Sequence, residues 1–367
     1  MKPQLLFAGQ GGGSWGCFQA GALHEYFAAS QTPAYDGGFG VSVGALTVSQ
    51  LMSADQSVIP DRARQQQNVN VLREFWLERI TGDDSIYRSW PKKKGRTLLL
   101  SAALSLIKIG ESSGVSKRDL QAIAVAVSEN KPSAYDNAPL IQLVRDALAG
   151  RHWHPSIKVG LVNMRTGRYE ERTLADNPEW LDNLIASTVI PLAFPPVCDQ
   201  FDGGVTDVTP LKGVFARFRE LRRQSPDCPQ ELHVYRCSPF PRYDDTGHSY
   251  TNLPAVLFRL IEIMVDNTDR EDYTAARFRN EISMVTNQAR AAGNDEVKRK
   301  MDLWREKYGE IAIYVIGPTD EDIKRLPVNS RSFDPEKLKS GFLSGRTAMQ
   351  KFLADKEKFR LENLLPL

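Results

Sequence analysis

The sequence predicts an α/β fold, with a mostly parallel central sheet flanked by helices and a helical insertion. Short apolar runs alternate with segments of helical periodicity, which is typical of a parallel sheet whose strands are joined by helices. The first two runs each end at glycines and lead into a helical segment, as in a strand–turn–helix unit. From about residue 57 to about residue 131, charges are frequent and β-branched runs are few, so helices interrupt the alternation there.

Two strand–helix units open the chain. Leu5–Ala8 is a short apolar run that stops at the glycine cluster Gly9–Gly16. Apolar residues then recur at helical spacing over Cys17–Phe27, which predicts the first helix. A second strand is expected to end at residues 39–41, and a second helix is expected over Ala45–Met52.

Alternation resumes after the insertion. Further strands are expected at Ile157–Val162, beyond the turn at residues 165–167, at Leu232–Cys237 and at Ile311–Ile316. Helices are expected over Ala255–Val265 and Arg270–Tyr308. Because no internal repeat or obvious linker is present, we predict one domain over residues 1–367. It contains the insertion at about 57–131 and a C-terminal helical extension from about residue 319.

Composition excludes several classes of protein. The 367 residues are 41% hydrophobic and 25% charged, which excludes disordered, fibrous and disulfide-scaffold proteins. With 47 basic and 45 acidic side chains the net charge is +2, which gives no support to nucleic-acid binding. The four cysteines form no CxxC pair, which argues against a zinc site, and we expect neither metal nor cofactor.

The apolar runs are short. The longest, Leu98–Ile109, falls below the roughly 20 residues that a membrane-spanning helix needs. The run at the N-terminus is too short for a signal peptide. We therefore expect a cytoplasmic protein.

Ser42 is the candidate nucleophile. Residues Gly40–Gly44 read G-x-S-x-G between a predicted strand and a predicted helix, the setting of a nucleophile elbow. Such a turn exposes the serine hydroxyl, and the small residues Gly40 and Gly44 let the chain bend without clashes. The helix that follows directs its N-terminal amides at the reaction centre, where negative charge develops. The alternative is a structural tight turn.

The glycines at residues 11–16 have two functional interpretations. As an oxyanion hole, they would present free backbone N–H groups to an anion. As G-x-G-x-x-G, they would hold a dinucleotide, but that requires an acidic residue at the end of the next strand. Asp36 has the right distance along the chain, yet it precedes that strand. Ser42 favours the oxyanion hole, and a plain glycine turn remains the third alternative.

A serine hydroxyl needs a neighbouring group to accept its proton. The histidines give no triad pattern; they are His24, His152, His154, His233 and His248. A carboxylate is the other option, and Asp202 stands before two glycines on a loop that can approach another backbone closely. Its rivals are Asp199, Asp207 and Asp36. Asp36 starts the strand that ends at Ser42, so at about 3.3 Å per residue it lies roughly 20 Å away.

These three motifs, in this order, resemble those of the patatin-like phospholipases. The family pattern is a G-G-G-x-[RK]-G oxyanion loop, then G-x-S-x-G, then a distant D-G-[GA]. Here the corresponding stretches are Gly11–Gly16, Gly40–Gly44 and Asp202–Gly204. Four further stretches are also similar, so the resemblance covers most of the chain; they are Tyr135–Leu140, Ala186–Pro191, Phe194–Val197 and Phe333–Glu336.

The resemblance implies a bacterial patatin-like lipid acyl hydrolase, or phospholipase A, built as a single three-layer catalytic domain. It implies a Ser–Asp dyad that hydrolyses fatty-acyl esters, with Ser42 as nucleophile and Asp202 as base. The N–H groups of Gly11, Gly12 and Gly13 would form the oxyanion hole, lipid would be the substrate, and no cofactor would be needed.

Two positions depart from the family pattern. Trp15 stands where members usually carry Arg or Lys, which removes any charge-assisted role there. Asp207 stands where members often carry Asn, which affects how the Asp202 loop is braced. Neither position is the nucleophile or its base.

One segment, residues 88–109, is relevant to membrane association. The basic stretch 88–96, which contains Trp90, precedes the apolar run 98–109. These residues suit either an ordinary helix that closes the site or a helix that sits on an anionic lipid surface, which leaves peripheral membrane association open. Two other functions also stay open: a catalytically silent lipid-binding or scaffold protein, and a nucleotide-binding α/β protein.

Overall fold

The computed structural model of the chain describes residues 2–91, 117–239, 253–325 and 332–364. Its strands are β1 (Gln4–Gly9), β2 (Gly37–Val41), β3 (Arg88–Ser89), β4 (Tyr135–Asp136), β5 (Ile157–Asn163), β6 (Tyr169–Thr173), β7 (Gln200–Asp202), β8 (Gln230–Tyr235) and β9 (Ala312–Ile316).

The α-helices in the described ranges are α1 (Gly16–Ala28), α2 (Val43–Leu51), α3 (Arg62–Glu74), α4 (Lys117–Ser128), α5 (Ala138–Leu148), α6 (Trp180–Ala186), α7 (Leu211–Gln224), α8 (Leu253–Ala292), α9 (Asp295–Tyr308), α10 (Asp320–Arg325), α11 (Pro335–Ala354) and α12 (Leu361–Leu364). Phe75–Arg79 forms a π-helical turn, and shorter 3-10 turns occur at Gly13–Trp15, Asp83–Ser85, Gly203–Val205 and Lys356–Phe359.

Seven of the strands form one central sheet. Its order is β6-β5-β2-β1-β8-β9, and β7 pairs with β5 as well. In this order, the adjacent strands β5, β2, β1, β8 and β9 run parallel to one another. Strands β6 and β7 run antiparallel to β5. The predicted α/β class with a mostly parallel sheet is therefore confirmed.

Strand β5 brings two distant parts of the chain together. Val41, the last residue of β2, is paired with Gly160 of β5. The next residue of β5, Leu161, is paired with Asp202 of β7. Because β6 occupies the other edge of β5 over the same residues, β7 continues the edge that β2 leaves. Asp202 therefore lies directly beyond the end of β2.

Helices cover both faces of the sheet. Side chains alternate along β1, so Leu5 and Phe7 enter one core while Leu6 and Ala8 enter the other. The first core includes α1, α2, α3 and α11. The second includes α7 and part of α8. The result is a helix–sheet–helix arrangement.

Helix α11, near the C-terminus, packs directly on α1. A Cβ atom added at Gly21 of α1 would overlap the carbonyl oxygen of Phe342, and one added at Gly345 of α11 would overlap that of Phe18. The two helix backbones therefore touch, which only residues without a side chain allow at these points. Leu338 and Phe342 extend the first core on the far side of α1.

Several element bounds differ from the predictions. The helix predicted to end at Val265 and the one predicted to begin at Arg270 are one continuous helix, α8; the break comes at residues 293–294, before α9. The polar residues at 266–269 do not end the helix. The strand predicted to end at Cys237 ends at Tyr235. Helices α5 and α6 and the strand β7 were not predicted; α6 and β7, with seven and three residues, are too short to show a clear period.

The described part of residues 57–131 contains α3, the π-helical turn, α4 and the short strand β3. The apolar run Leu98–Ile109 and residues 92–96 of the basic stretch lie outside the described residues. Within the described ranges, no helix combines the length and apolar character needed to cross a membrane.

Candidate active site

Ser42 occupies a sharp turn between β2 and α2. Its backbone φ of 56° and ψ of −126° are unusual for a residue with a side chain, and such strain is common at functional sites. A Cβ atom at Gly40 would overlap the backbone of Gly44, and one at Gly44 would overlap the carbonyl group of Gly9. The two glycines therefore let the start of α2 pack against the ends of β1 and β2.

The structure brings Ser42 and Asp202 together. The Ser42 side chain forms a hydrogen bond with the Asp202 carboxylate, although 159 residues separate them in the sequence. The Gly204 N–H also donates to Asp202 Oδ1, at 2.8 Å. Gly203 allows this approach, because a Cβ atom there would lie 2.7 Å from the backbone of Gly160.

Burial changes the acidity of Asp202. Its residue is 4% exposed, and the loss of hydration raises the pKa of the carboxyl from 3.8 to about 7. The hydrogen bonds from Ser42 and from the Gly204 N–H oppose this rise, because they favour the charged form. A carboxylate with a pKa near neutrality suits a general base that works at neutral pH.

Ser187 is a site residue that sequence analysis did not single out. Its hydroxyl oxygen accepts a hydrogen bond from the Ser42 N–H at 3.1 Å, and its O–H donates to the Gly160 carbonyl at 2.6 Å. It lies directly after α6 and is fully buried. It lies in the stretch Ala186–Pro191 that resembles the family, but its hydrogen bonds to Ser42 and Gly160 join distant parts of the chain and are visible only in the tertiary structure.

The glycine loop lies at the end of β1, beside Ser42. Gly12 and Gly13 stand at the start of the 3-10 turn, where the first N–H groups have no acceptor within the turn. Gly13 has a φ of 57° and lines the same cavity as Ser42. Gly11 differs, because its N–H donates to the Val208 carbonyl at 3.1 Å. Of the three predicted oxyanion donors, Gly11 is therefore already engaged.

Two buried glutamines hold this loop in place. Gln19 of α1 donates from Nε2 to the carbonyl oxygens of Gln10, at 2.9 Å, and Tyr235, at 3.0 Å. Its Oε1 accepts from the Thr47 hydroxyl at 2.8 Å. Gln10 Oε1 in turn accepts from the Cys237 N–H at 2.8 Å. The loop is thus fixed to α1, α2 and the end of β8.

The other acidic candidates lie elsewhere. Asp36 accepts the Leu5 N–H at 2.9 Å, at the opposite end of the sheet from Ser42. Asp199 forms an ion pair with Arg165 on the surface. Asp207 is buried, and its N–H donates to the Gly203 carbonyl at 2.9 Å. Of these four aspartates, Asp202 is the one whose carboxylate is hydrogen-bonded to Ser42.

Among the described residues, no histidine lines the cavity that contains Ser42. His233 is buried in the sheet, with Nε2 2.6 Å from Glu231 Oε1 and Nδ1 2.9 Å from the Tyr35 hydroxyl. Burial lowers its pKa. His154 contacts Ser156, and His24 packs against Phe342. His248 lies outside the described residues.

Trp15 is a core residue. It is 4% exposed and packs edge-on against Phe18, with ring centroids 6.5 Å apart. Gly16, next to it, lies so close to Val43 and Trp76 that an added Cβ would overlap both side chains. Where the family pattern has a cation, this chain has an aromatic side chain that fixes the glycine loop to the core.

Nineteen of the described residues, Ser42 among them, line a cavity beside the Ser42 turn. Fifteen of its lining residues are aromatic or aliphatic, and the other four are Gly13, Ser42, Asp119 and Thr188. The aromatic side chains belong to Phe75, Trp76, Tyr87, Tyr135, Phe194 and Phe333. Such a lining favours a long apolar ligand.

A polar cluster borders the cavity. The Tyr135 hydroxyl donates to Asp119 Oδ1 at 2.7 Å, and burial raises the pKa of Tyr135. The Arg118 guanidinium lies 4.9 Å from the centre of the Tyr87 ring and forms ion pairs with Asp83 and Asp84. Asp83 also accepts the Phe333 N–H at 2.7 Å, which fixes the start of the C-terminal region at the cavity.

No group of three or more histidine, cysteine, aspartate or glutamate side chains within the described ranges is arranged to hold a metal ion. The cysteines there are all free thiols. Burial raises the pKa of Cys17 to about 12, so it is a neutral core residue. Trp90 of the basic stretch donates to the Ser133 carbonyl at 2.9 Å, and Lys131 lies over its ring.

Comparison with known proteins gives a family match that covers these site residues. A family model described as patatin-like phospholipase matches residues 8–215, more than half of the chain. The match includes the glycine loop, the Ser42 turn and Asp202. No curated protein matches the chain. Among solved structures, the crystal structure of VipD from Legionella pneumophila is similar, with 12% identity and a TM-score of 0.37. That similarity covers 96% of this chain and 67% of the other.

Proposed function

The chain belongs to the patatin-like phospholipase family, and we propose that it hydrolyses fatty-acyl esters of lipids with Ser42 and Asp202 as a catalytic dyad. The observation that carries this proposal is the hydrogen bond between the Ser42 side chain and the buried Asp202 carboxylate, at a cavity lined by apolar side chains. Family membership alone supports lipid acyl hydrolase activity in general. The dyad, the donors and the phospholipase A assignment are the finer part of the proposal.

The first half of the reaction forms an acyl-enzyme. The ionised Asp202 carboxylate accepts the proton of the Ser42 hydroxyl while the serine oxygen bonds to the ester carbonyl carbon. The carbonyl π electrons move onto its oxygen. When the tetrahedral intermediate collapses, the bond to the alcohol oxygen breaks and that oxygen takes the proton from Asp202. The lipid alcohol leaves, and the acyl group remains on Ser42.

The second half returns the free enzyme. Asp202 accepts a proton from a water molecule as the water oxygen attacks the acyl carbon. Collapse of the second tetrahedral intermediate breaks the bond to Ser42, whose oxygen recovers the proton. The products are a fatty acid and the free serine. A base with a pKa near neutrality can serve in both directions.

Backbone N–H groups are the proposed oxyanion donors. We assign this role to Gly12 and Gly13, and to Val43 at the N-terminus of α2, whose partial positive charge favours an anion. Gly11 supports the loop through its bond to Val208 and joins the donors only if that bond opens. Removal of one such donor typically costs about 3 kcal/mol of barrier.

The substrate proposal follows from the cavity. Six aromatic rings and nine aliphatic side chains suit an acyl chain, whose burial contributes about 0.8 kcal/mol per methylene group. We propose that lipid is met at a membrane surface by a cytoplasmic enzyme, acting as one catalytic domain without a cofactor.

Labelling with a fluorophosphonate probe tests the nucleophile. We expect the wild type to be labelled and to hydrolyse a p-nitrophenyl ester, and Ser42→Ala to do neither. Ser49→Ala is the matched control, because Ser49 is also buried, lies in the helix that follows Ser42 and donates to the Ala45 carbonyl. A wild type that is never labelled, with or without lipid vesicles, would favour a catalytically silent lipid-binding protein.

A further inference from the structure

The Ser187 hydroxyl lies between the Ser42 turn and β5, the strand that pairs with the Asp202 strand β7. The ladder between β2 and β5 ends at the pair Val41 and Gly160, because Ser42 turns away from the sheet. Beyond this pair, the Ser187 hydroxyl connects the two backbones in place of a direct hydrogen bond between β2 and β5. It accepts from the Ser42 N–H at 3.1 Å and donates to the Gly160 carbonyl at 2.6 Å, so one buried group bridges both backbones.

Gly160 also contacts the loop that follows Asp202. Gly203 packs on the Gly160 backbone so closely that a Cβ atom there would lie 2.7 Å from its carbonyl group. Leu161, the next residue of β5, is paired with Asp202. The positions of Ser42 and Asp202 therefore both depend on contacts with the same part of β5, residues Gly160 and Leu161. On the nucleophile side, the Ser187 hydroxyl makes that connection.

We infer that Ser187 is a positioning residue that fixes the Ser42 hydroxyl at hydrogen-bonding distance from Asp202 by tying the Ser42 amide to Gly160. The inference deepens the proposed function and rests on it. Ser187 is not among the residues that line the cavity, and its hydroxyl bonds to the Ser42 amide and the Gly160 carbonyl. Its effect on the reaction passes through the position of Ser42.

Loss of the hydroxyl has a defined consequence. In Ser187→Ala the Ser42 N–H and the Gly160 carbonyl both lose a buried partner, so the strained turn can shift away from β5. The hydrogen bond from Ser42 to Asp202 then weakens. Of the three contributions to the acidity of Asp202, burial and the Gly204 N–H stay in place, and the Ser42 contribution is reduced.

Steady-state kinetics on a p-nitrophenyl ester form the first test. Misplacement of a reacting group by about 1 Å costs on the order of 100-fold, so we expect kcat of Ser187→Ala to fall about 10- to 100-fold with KM little changed. Ser49→Ala, which also removes a fully buried hydroxyl, should keep the wild-type kcat. Equal kcat values in the two variants would overturn the inference.

Titration of Asp202 by carboxyl-carbon NMR is the second test, and it needs no turnover. We expect the pKa of Asp202 to rise in Ser187→Ala toward its value in Ser42→Ala, and to stay unchanged in Ser49→Ala. An unchanged Asp202 titration in Ser187→Ala would overturn the inference even if the rate fell. A shifted titration in a protein whose wild type cannot be labelled would support the positioning role and refute the proposed hydrolase.

Discussion

Asp202 is a buried acid, with 4% of its surface exposed. Burial raises its pKa to about 7, whereas an exposed aspartate titrates near 3.8. A base in this environment is half protonated near neutral pH, so its catalytic fraction depends steeply on pH in the physiological range.

The first prediction concerns the pH profile. We expect kcat/KM to rise about tenfold per pH unit below about pH 7 and to level off above it, since only ionised Asp202 accepts the proton of Ser42. Initial rates on a soluble ester between pH 5 and 9 measure this. A flat profile from pH 5 to 7 would mean that Asp202 is not the base.

The second prediction concerns stability. The pKa of Asp202 is higher in the folded state, so between about pH 4 and pH 7 the folded protein binds more protons than the unfolded chain. The free energy of unfolding attributable to this group is therefore greatest below pH 4 and falls as pH rises through 7. The Asp202→Asn variant has no carboxyl group at this position, so its free energy of unfolding does not fall in this way as pH rises.

Thermal unfolding of both proteins at pH 5 and pH 8 measures the difference. We expect Asp202→Asn to gain stability relative to the wild type at pH 8, on the order of 3 kcal/mol, and much less at pH 5. The variant should be catalytically dead at both values. A stability difference that does not depend on pH would show that the carboxyl titrates normally.

The third prediction concerns the histidines. No single His→Ala change should remove activity as completely as Asp202→Asn, because no histidine among the described residues lines the cavity. His233→Ala is expected to lower stability through the loss of its bonds to Glu231 and Tyr35, not through chemistry. Assays of the five variants on the same ester decide this, and a histidine variant as inactive as Asp202→Asn would indicate a triad.

At the scale of elements, α1 and α11 touch backbone to backbone at Gly21 and Gly345. A fourth prediction follows: Gly345→Ala should destabilise the protein by about 1–3 kcal/mol, because its Cβ would meet the Phe18 carbonyl, which cannot move aside. Thr347→Ala, two residues along on the exposed side of α11, should change stability by about 0.5 kcal/mol or less. Denaturant unfolding of both variants measures this, and equal midpoints would contradict the close packing.

The sequence predicts some elements better than others for physical reasons. The Ser42 turn is a local motif, in which Gly40 and Gly44 are required by contacts within one strand–turn–helix unit. Asp202 has no such local requirement, because its position depends on the pairing of a three-residue strand with the end of β5. The family resemblance pointed to it where the sequence pattern alone left Asp199, Asp202 and Asp207 open. Ser187 and the engagement of the Gly11 amide depend on tertiary contacts and could not be predicted.

At the scale of the whole molecule, the family match ends at residue 215, but the fold does not. β8 and β9 extend the sheet, and α11 adds Phe342, Met349 and Phe352 to the first core. Phe333 lines the cavity, and its N–H is bound by Asp83. We therefore propose that the C-terminal region is part of the same folded unit as the site.

A fifth prediction tests this integration. A chain that ends at residue 331 should lose cooperative unfolding and esterase activity together, since it exposes the face of α1 that α11 covers. Phe342→Ala in the full chain should cost about 3–5 kcal/mol, whereas Leu343→Ala, at a position that is 49% exposed, should cost little. A truncated chain that melts in one sharp transition would show that residues 2–331 fold alone.

Two consecutive residues of β5 set the distance between the Ser42 turn and the proposed base, because Gly160 pairs with Val41 and Leu161 pairs with Asp202. A single residue inserted between Gly160 and Leu161 would leave both side chains of the proposed dyad in the sequence and still move them apart. Natural variation in length should therefore be tolerated in the loops on either side of this strand and rejected within it.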